Sequence, residues 1–442
     1  MKIIFRAALL IFLTALAPFA YDSHVALGQS GGLLQPSDFS YVGAFRLEEN
    51  WGDNYRTWEY SNGPIAYYPS GDPSGSNDGY PGSLYVAGHV YRSWVAEMSI
   101  PTPVNSKNLS SLNTARMLQP MTDVTATISN KNGFILGMTY VPSQDRIFFT
   151  HGQDYNASNC DQAGAPPGLG SFKPTLSAPQ TQGLWFLGTM APYMSLRYIA
   201  EIPALFAAQL GGRELSTGRH RGWCPEGTNF YASAPWTAGA PPAPNTQLPF
   251  ATLMQFGDFS TPAKWSKEHS PANAYQGAAW LTIGGKTAVA ISGIIDYDPA
   301  RGYYGYSNWM SASQCDPDPS SVPGCLDTGG RGWRAADPHA AMLLYDPADL
   351  VAVANGTKDA ASVQWYAKFD MTPRMLRTYY PTELTTSADA EDILMTFDRT
   401  RGILYVSESF VDGAKPIIHV FKVGSSTPDT TAPAAPKNLR TR

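Results

Sequence analysis

At 442 residues, 15% of them charged and 43% hydrophobic, the chain has the apolar content to bury a core and too little charge to be disordered. A formal net charge of -5 with no long basic run excludes the concentrated Lys and Arg that nucleic-acid binding requires. Aromatic residues at 12%, with 40 Gly and 36 Pro, fit an all-β protein with many turns and loops.

The chain opens with MKIIFRAALLIFLTALAPFA, a basic end at Lys2 and Arg6 followed by an apolar run from Ala7 to Ala17 that is short for a bilayer. Residues 1–28 therefore read as a secretory signal peptide, with an uncleaved anchor as the alternative. The expected protein is exported, secreted or periplasmic, with no membrane span after cleavage. FSYVGAFRL, Phe39 to Leu47, alternates Phe39, Tyr41, Phe45 and Leu47 against Ser40 and Arg46, as a strand does.

A unit of strand, turn, strand, loop, strand then recurs. Its copies run from Gly63 to Pro101, from Phe134 to Pro203, from Gly277 to Pro347 and from Glu391 to Val423. WVAEMSIP and YIAEIP close the first two and place Glu97 and Glu201 alike. Radial repetition of antiparallel strands is the pattern of a β-propeller, and residues 33–424 are expected to form one. The uneven spacing of the copies predicts six or seven blades, with GLWFLGT (Gly183 to Thr189) and FATLMQFGDF (Phe250 to Phe259) belonging to hidden ones. A β-sandwich is the alternative. The lone strand at Tyr41 to Leu47 is expected to close the ring by joining the last blade, Ile393 to Val423. PALFAAQL (Pro203 to Leu210) is the one helix-like segment, and PADLVAVANGTKDA (Pro347 to Ala360) reads as an inter-blade linker with one helical turn.

The body, from YVGAFRL through SLYVAGH to the DPADL stretch, resembles secreted bacterial propeller-type proteins, a resemblance that carries no catalytic assignment with it. The tail DTTAPAAPKNLRTR resembles the lead-in to a fibronectin type III domain, so residues 425–442 read as a flexible linker.

Four cysteines in loops of an exported chain favour disulfides, Cys315 with Cys325 and Cys160 with Cys224. Zinc is the alternative, though the spacings do not suit it. His89 and His151 each end the second strand of a repeat, in VAGH and FTHG; Glu408 does so in VSES, and Asp296 lies just beyond SGII. A propeller carries such positions to one face. His89 and His151, with Arg92 and Tyr155 near them in sequence, are the catalytic candidates, because an imidazole works as acid or base and a neighbouring Tyr or Arg can share proton and charge. Glu408, Asp296, Trp94, Trp309 and Tyr304 are the ligand-binding candidates, the aromatic ones through stacking. The plainer alternative is that these groups cap strand ends. No metal site is assigned. Calcium at Asp296, Asp298, Asp316 and Asp318 is the alternative to no cofactor at all. Arg219-His220-Arg221 reads as a solvated loop.

Three functions remain in order: a binding protein for a polysaccharide or cell-surface partner, a propeller-type polysaccharide lyase or other carbohydrate-active enzyme, and a structural scaffold.

Overall fold

The computed structural model describes residues 32–48, 56–72, 75, 80–92, 94–129, 131, 133–152, 168–190, 195, 197–219, 226–233, 241–258, 260–301, 303–305, 332–377 and 392–424. The expected leader at 1–28, the tail at 425–442 and all four cysteines fall outside these residues, as do Tyr155, Trp309, Asp316 and Asp318.

The strands form five radial sheets, each with a core of four antiparallel strands. Blade I runs from the inside outward as Ile65–Tyr68, Ser83–Ala87, Trp94–Met98 and Met117–Asp123. Blade II is Phe134–Val141, Arg146–Gly152, Gly168–Phe172 and Gln182–Leu187, and blade III is Tyr198–Glu201, Leu215–Gly218, Phe230–Ser233 and Phe250–Met254. Blade IV is Ala274–Ile283, Lys286–Asp296, Pro338–Tyr345 and Ala367–Asp370. Blade V takes Ile393–Asp398, Ile403–Asp412 and Lys415–Val423 from the end of the chain, and its fourth strand is Phe39–Leu47 from the beginning. The five inner strands pack side by side in the order I to V, and V returns to I. The fold is an all-β, five-bladed propeller.

Burial on both faces explains why its strands read as nearly continuous apolar runs. Successive side chains of a strand point to opposite faces. In blade II, Ile147 and Phe149 pack with Ala66, Tyr85 and Val95 of blade I, while Phe148 packs with Ile199, Leu215 and Tyr231 of blade III. In blade IV, Trp280 faces Tyr198 and Phe230 of blade III, and Ala279 faces Met395 and Leu404 of blade V. Phe45 and Tyr405 of blade V meet Ile65 and Leu84 of blade I, which completes five cores between five blades. Blades V and I come close enough that Gly63, at φ 74° just before the inner strand of blade I, has no room for a Cβ beside the hydroxyl of Ser407 on the second strand of blade V.

The closing strand pairs as the sequence predicts: Tyr41 lies opposite Phe421, Phe45 opposite Ile418 and Arg46 opposite Ile417, with a bulge between Tyr41 and Gly43. The blade count differs from the expected six or seven. Gln182–Leu187 is the outer strand of blade II and starts no blade of its own, whereas Phe250–Met254 belongs to blade III, the one blade that the four expected copies leave out; long connections account for the rest of the uneven spacing. YIAE is also the inner strand of blade III, not the third strand of blade II. Glu97, on a third strand, and Glu201, on an inner one, are therefore not equivalent. The short helices Ala204–Ala207 and Pro347–Ala354 fall where expected, and among the described residues no helix is long and apolar enough to cross a membrane.

Candidate functional site

All five inner strands run in one direction, so each end of the central channel gathers like positions from every blade. The end where the inner strands begin, here the upper end, also receives the ends of the second strands. His151 lies opposite Ile135, Glu408 opposite Ile393 and Asp296 opposite Pro338, while His89 follows Ala87, whose N–H donates to the Pro64 carbonyl. The register thus brings His89, His151, Asp296 and Glu408 to one end of the propeller. In blade III the same place is held by Arg219, fully buried just after Gly218, which overturns its reading as part of a solvated loop.

These five groups have different surroundings. Glu408 is spent structurally: Oε1 accepts from Arg377 N at 3.0 Å, and Oε2 accepts from Leu376 N at 2.9 Å and from His419 Nε2 at 2.8 Å. Burial alone would raise its carboxyl, but the bonds from His419 and the two backbone N–H groups outweigh it and hold the group below its ordinary range. His419 Nδ1 lies 3.0 Å from the Tyr41 hydroxyl, which donates to it when Nε2 carries the proton toward Glu408. A second relay of the same composition stands in blade IV. There Tyr275 Oη is 2.9 Å from His269 Nδ1, and His269 Nε2 is 2.8 Å from Glu226 Oε2. Asn273 donates to Tyr275 Oη at 3.0 Å and accepts from Asp296 N at 2.8 Å, tying this relay to the end of the second strand. Both relays are satisfied, buried polar networks of the kind that lock a core.

Asp296 uses Oδ1 to accept from Asp298 N and Asp337 N, whereas Oδ2 is buried and has no partner among the described residues. Asp298 pairs with Arg301 at 2.5 Å, and among the described residues no cluster of three ligating side chains is placed for a metal. His89 sits nearer the rim, its Nδ1 accepting from Tyr91 N at 3.2 Å, and burial together with Arg92 lowers its pKa. Arg92 is exposed beside it, and Trp94 is half-buried on the same blade with the Arg56 guanidinium 5.2 Å from its ring centre. Tyr304 belongs to a short strand, Tyr303–Gly305, paired with Gly332–Arg334.

The centre of the upper end holds residues that sequence reading does not single out. Arg197, just before the inner strand of blade III, reaches past blade IV to Asp392, just before the inner strand of blade V, with Nη2 and Oδ1 2.6 Å apart. Both side chains are essentially excluded from solvent, at 2% and 0% exposure. Gln276 of the intervening blade accepts from Ile393 N through Oε1, and its buried Nε2 has no partner among the described residues. Asn62 Oδ1 and the hydroxyls of Ser407 and Ser409 are likewise buried and unpaired among the described residues. His151 is the extreme case, with both ring nitrogens buried and neither paired among the described residues; its neighbour Thr150 donates to the Arg197 carbonyl.

The lower end is closed differently. Glu201 and Arg399, from the same two blades, pair at 2.6 Å with the polarity reversed, beside a cavity of about 120 Å³ lined by Tyr67, Tyr140 and Trp280 among others. Burial raises the Glu201 carboxyl despite Arg399.

Burial, with a smaller contribution from Lys131, lowers the His151 pKa from 6.5 to about 4. The folded protein therefore resists a proton that the unfolded chain accepts below pH 6.5. Stability is full above that value and falls as pH drops toward 4, at up to about 1.4 kcal/mol per pH unit. Urea unfolding of the wild type and His151→Gln at pH 7, 5.5 and 4.5 should show this extra acid sensitivity only in the wild type. Parallel pH profiles would refute it.

Neither a protein-family profile nor any curated protein matches this sequence. Among solved structures, one is described as of the GH130 family of mannoside phosphorylases, containing glycoside hydrolases that target β-1,2 mannosidic linkages in Candida mannan. It aligns over 89% of this chain and 98% of its own at 11% identity and a TM-score of 0.39. The plexin A4 extracellular region aligns over 77% of this chain and 36% of its own at 8% identity and a TM-score of 0.26. Likenesses this distant say nothing about activity.

Proposed function

We propose that the protein is an exported saccharide-binding propeller, comprising residues 33–424 between a leader and a linker, whose upper channel mouth holds a neutral sugar unit. One observation carries this reading. Asn62, His151, Gln276, Asp296, Ser407 and Ser409, from four blades, hold buried polar atoms at a single end of the channel that have no partner among the described residues. Each such atom costs about 1–3 kcal/mol unless something occupies its bonding direction. Sugar hydroxyls both donate and accept, and so match a mixed set of amide, hydroxyl, imidazole and carboxylate groups. Arg197 and Asp392 neutralise each other at the centre, which favours an uncharged ligand over an anionic one.

A second reading, elimination from a uronate polymer, has one observation in its favour. His151 stays unprotonated through the neutral range, as a general base must, and Arg219 occupies the like place in the next blade. Calorimetric titration of the full chain with linear tetrasaccharides of glucose, mannose, galactose and N-acetylglucosamine, and with uronate polymers, separates the two. Binding of a neutral sugar, abolished in Gln276→Ala and His151→Ala without loss of fold, supports the first. Unsaturated product absorbing in the ultraviolet from a uronate polymer supports the second, and neither result would overturn both.

A further inference from the structure

Beside the mouth, over blades V and I, lies a group of aromatic rings that the binding reading does not use. Among the described residues only three large hydrophobic side chains are exposed, and two of them, Tyr91 at 77% and Tyr60 at 49%, belong to it. His89 stands between them, its ring centre 5.6 Å from that of Tyr60 and 5.4 Å from that of Tyr91. Phe410 adds a fourth ring, edge-on to Tyr60 at 6.2 Å.

The backbone that presents these rings is strained. Tyr60 at φ 57° and Phe410 at φ 59° both occupy the left-handed region, which bulky side chains avoid. Backbone bonds hold Tyr60 there: its N–H donates to the Ala414 carbonyl at 2.9 Å and its carbonyl accepts from Val90 N at 3.2 Å. Strain kept in place by the surroundings concentrates at functional sites. The chain also runs directly from these rings into the mouth. Tyr60 precedes Ser61 and Asn62, and Phe410 follows Ser409, whose hydroxyl is among the unpaired groups.

We infer that Tyr60, His89, Tyr91 and Phe410 form a second saccharide subsite, a stacking platform for the sugar next along from the one in the mouth. The inference rests on the saccharide-binding reading and deepens it: the ligand is an oligosaccharide. A pyranose presents a face of C–H bonds that packs on the electron-rich face of an aromatic ring, and its hydroxyls stay in water. Burial, with Arg92 beside it, lowers the His89 pKa and so favours the uncharged imidazole among these rings.

The test compares the four linear tetrasaccharides named above with their monosaccharides, by calorimetry on the full chain. The wild type should bind its preferred tetrasaccharide about tenfold or more tighter than the monosaccharide. Tyr91→Ala and Tyr60→Ala should remove that advantage and leave monosaccharide affinity unchanged, and Tyr91→Phe should keep it. Tyr91 is too exposed for its loss to threaten folding, so this variant decides. Tetrasaccharide affinity unmoved by Tyr91→Ala would overturn the platform while leaving the mouth in place. An equal fall for both ligand lengths would also overturn it, by making Tyr91 part of the mouth. Absence of binding to every sugar by the wild type would bring down the mouth and the platform together.

Discussion

Deletion of residues up to Leu47 is expected to leave a chain that melts far below the full-length protein or does not fold at all. The strand Phe39–Leu47 is the fourth strand of blade V, yet it comes from the opposite end of the sequence, so it adds a ladder of backbone hydrogen bonds to the packing that closes blade I on blade V. Phe39, Tyr41, Ala44, Phe45 and Leu47 are all buried, and Phe45 joins the core between blades V and I. The four larger side chains alone carry about 1.5–3 kcal/mol of burial each, a gross contribution comparable with the 5–15 kcal/mol by which domains of this kind are stable. Removing the strand also bares the edge of Lys415–Val423, a run of apolar residues open to pairing with other chains. Circular dichroism melting and light scattering should show an early transition with aggregation. Phe45→Ala, which keeps the edge covered and empties part of the core, should cost about 3–5 kcal/mol by itself. An unchanged melting curve for the deletion would mean that the ring is held by blade-to-blade packing alone.

That closure was legible in the sequence because an alternating strand stood apart from any repeat, although the four apolar residues do not share one face: the bulge after Tyr41 leaves Phe39 and Tyr41 in the core against blade IV and turns Phe45 and Leu47 into the core against blade I. The repeats were legible for a related reason: both faces of each blade are buried, so inner and second strands become apolar runs interrupted only by tight turns. What misled was letter similarity. WVAEM and YIAE match in pattern, but the first is the third strand of one blade and the second the innermost strand of another. Pattern records burial on two faces, which third and inner strands share, and does not record radial position. The blade count was overestimated because loop length was taken as room for strands.

The site divides along similar lines. Repeat logic brings His89, His151, Asp296 and Glu408 to one end, since equivalent strand ends are a local property. It does not reveal that Glu408 is spent on His419, Leu376 and Arg377, because those partners come from a loop and a neighbouring strand. Nor does it find Arg219, whose flanking His220 and Arg221 make it look like surface. Arg197 and Asp392 lie 195 residues apart and become partners only when blades III and V face each other across the channel. A lone Arg before one strand and a lone Asp before another carry no signal in a single sequence.

Breaking that pair from either side is expected to be as damaging as emptying the core at Phe45. With 2% and 0% exposure, neither charge can be rehydrated in place, so Asp392→Ala should leave the Arg197 guanidinium buried without its counter-charge. Breaking one side of a buried pair in this way costs about 3–5 kcal/mol. Arg197→Met should be similarly harmful by stranding the carboxylate. The double variant Arg197→Met, Asp392→Leu removes both desolvation penalties at once, and apolar replacements of similar volume at such sites are often neutral or better. It should therefore recover most of the stability lost in either single variant, as measured by urea unfolding in a double-mutant cycle. Saccharide binding should not return with it. The pair sits among the unpaired polar groups of Gln276, His151 and Asn62, and replacing it by hydrocarbon removes charged bonding partners from the mouth. A double variant that is stable and still binds would make the pair a strut of the fold alone. One that is stable and no longer binds would assign it to the ligand.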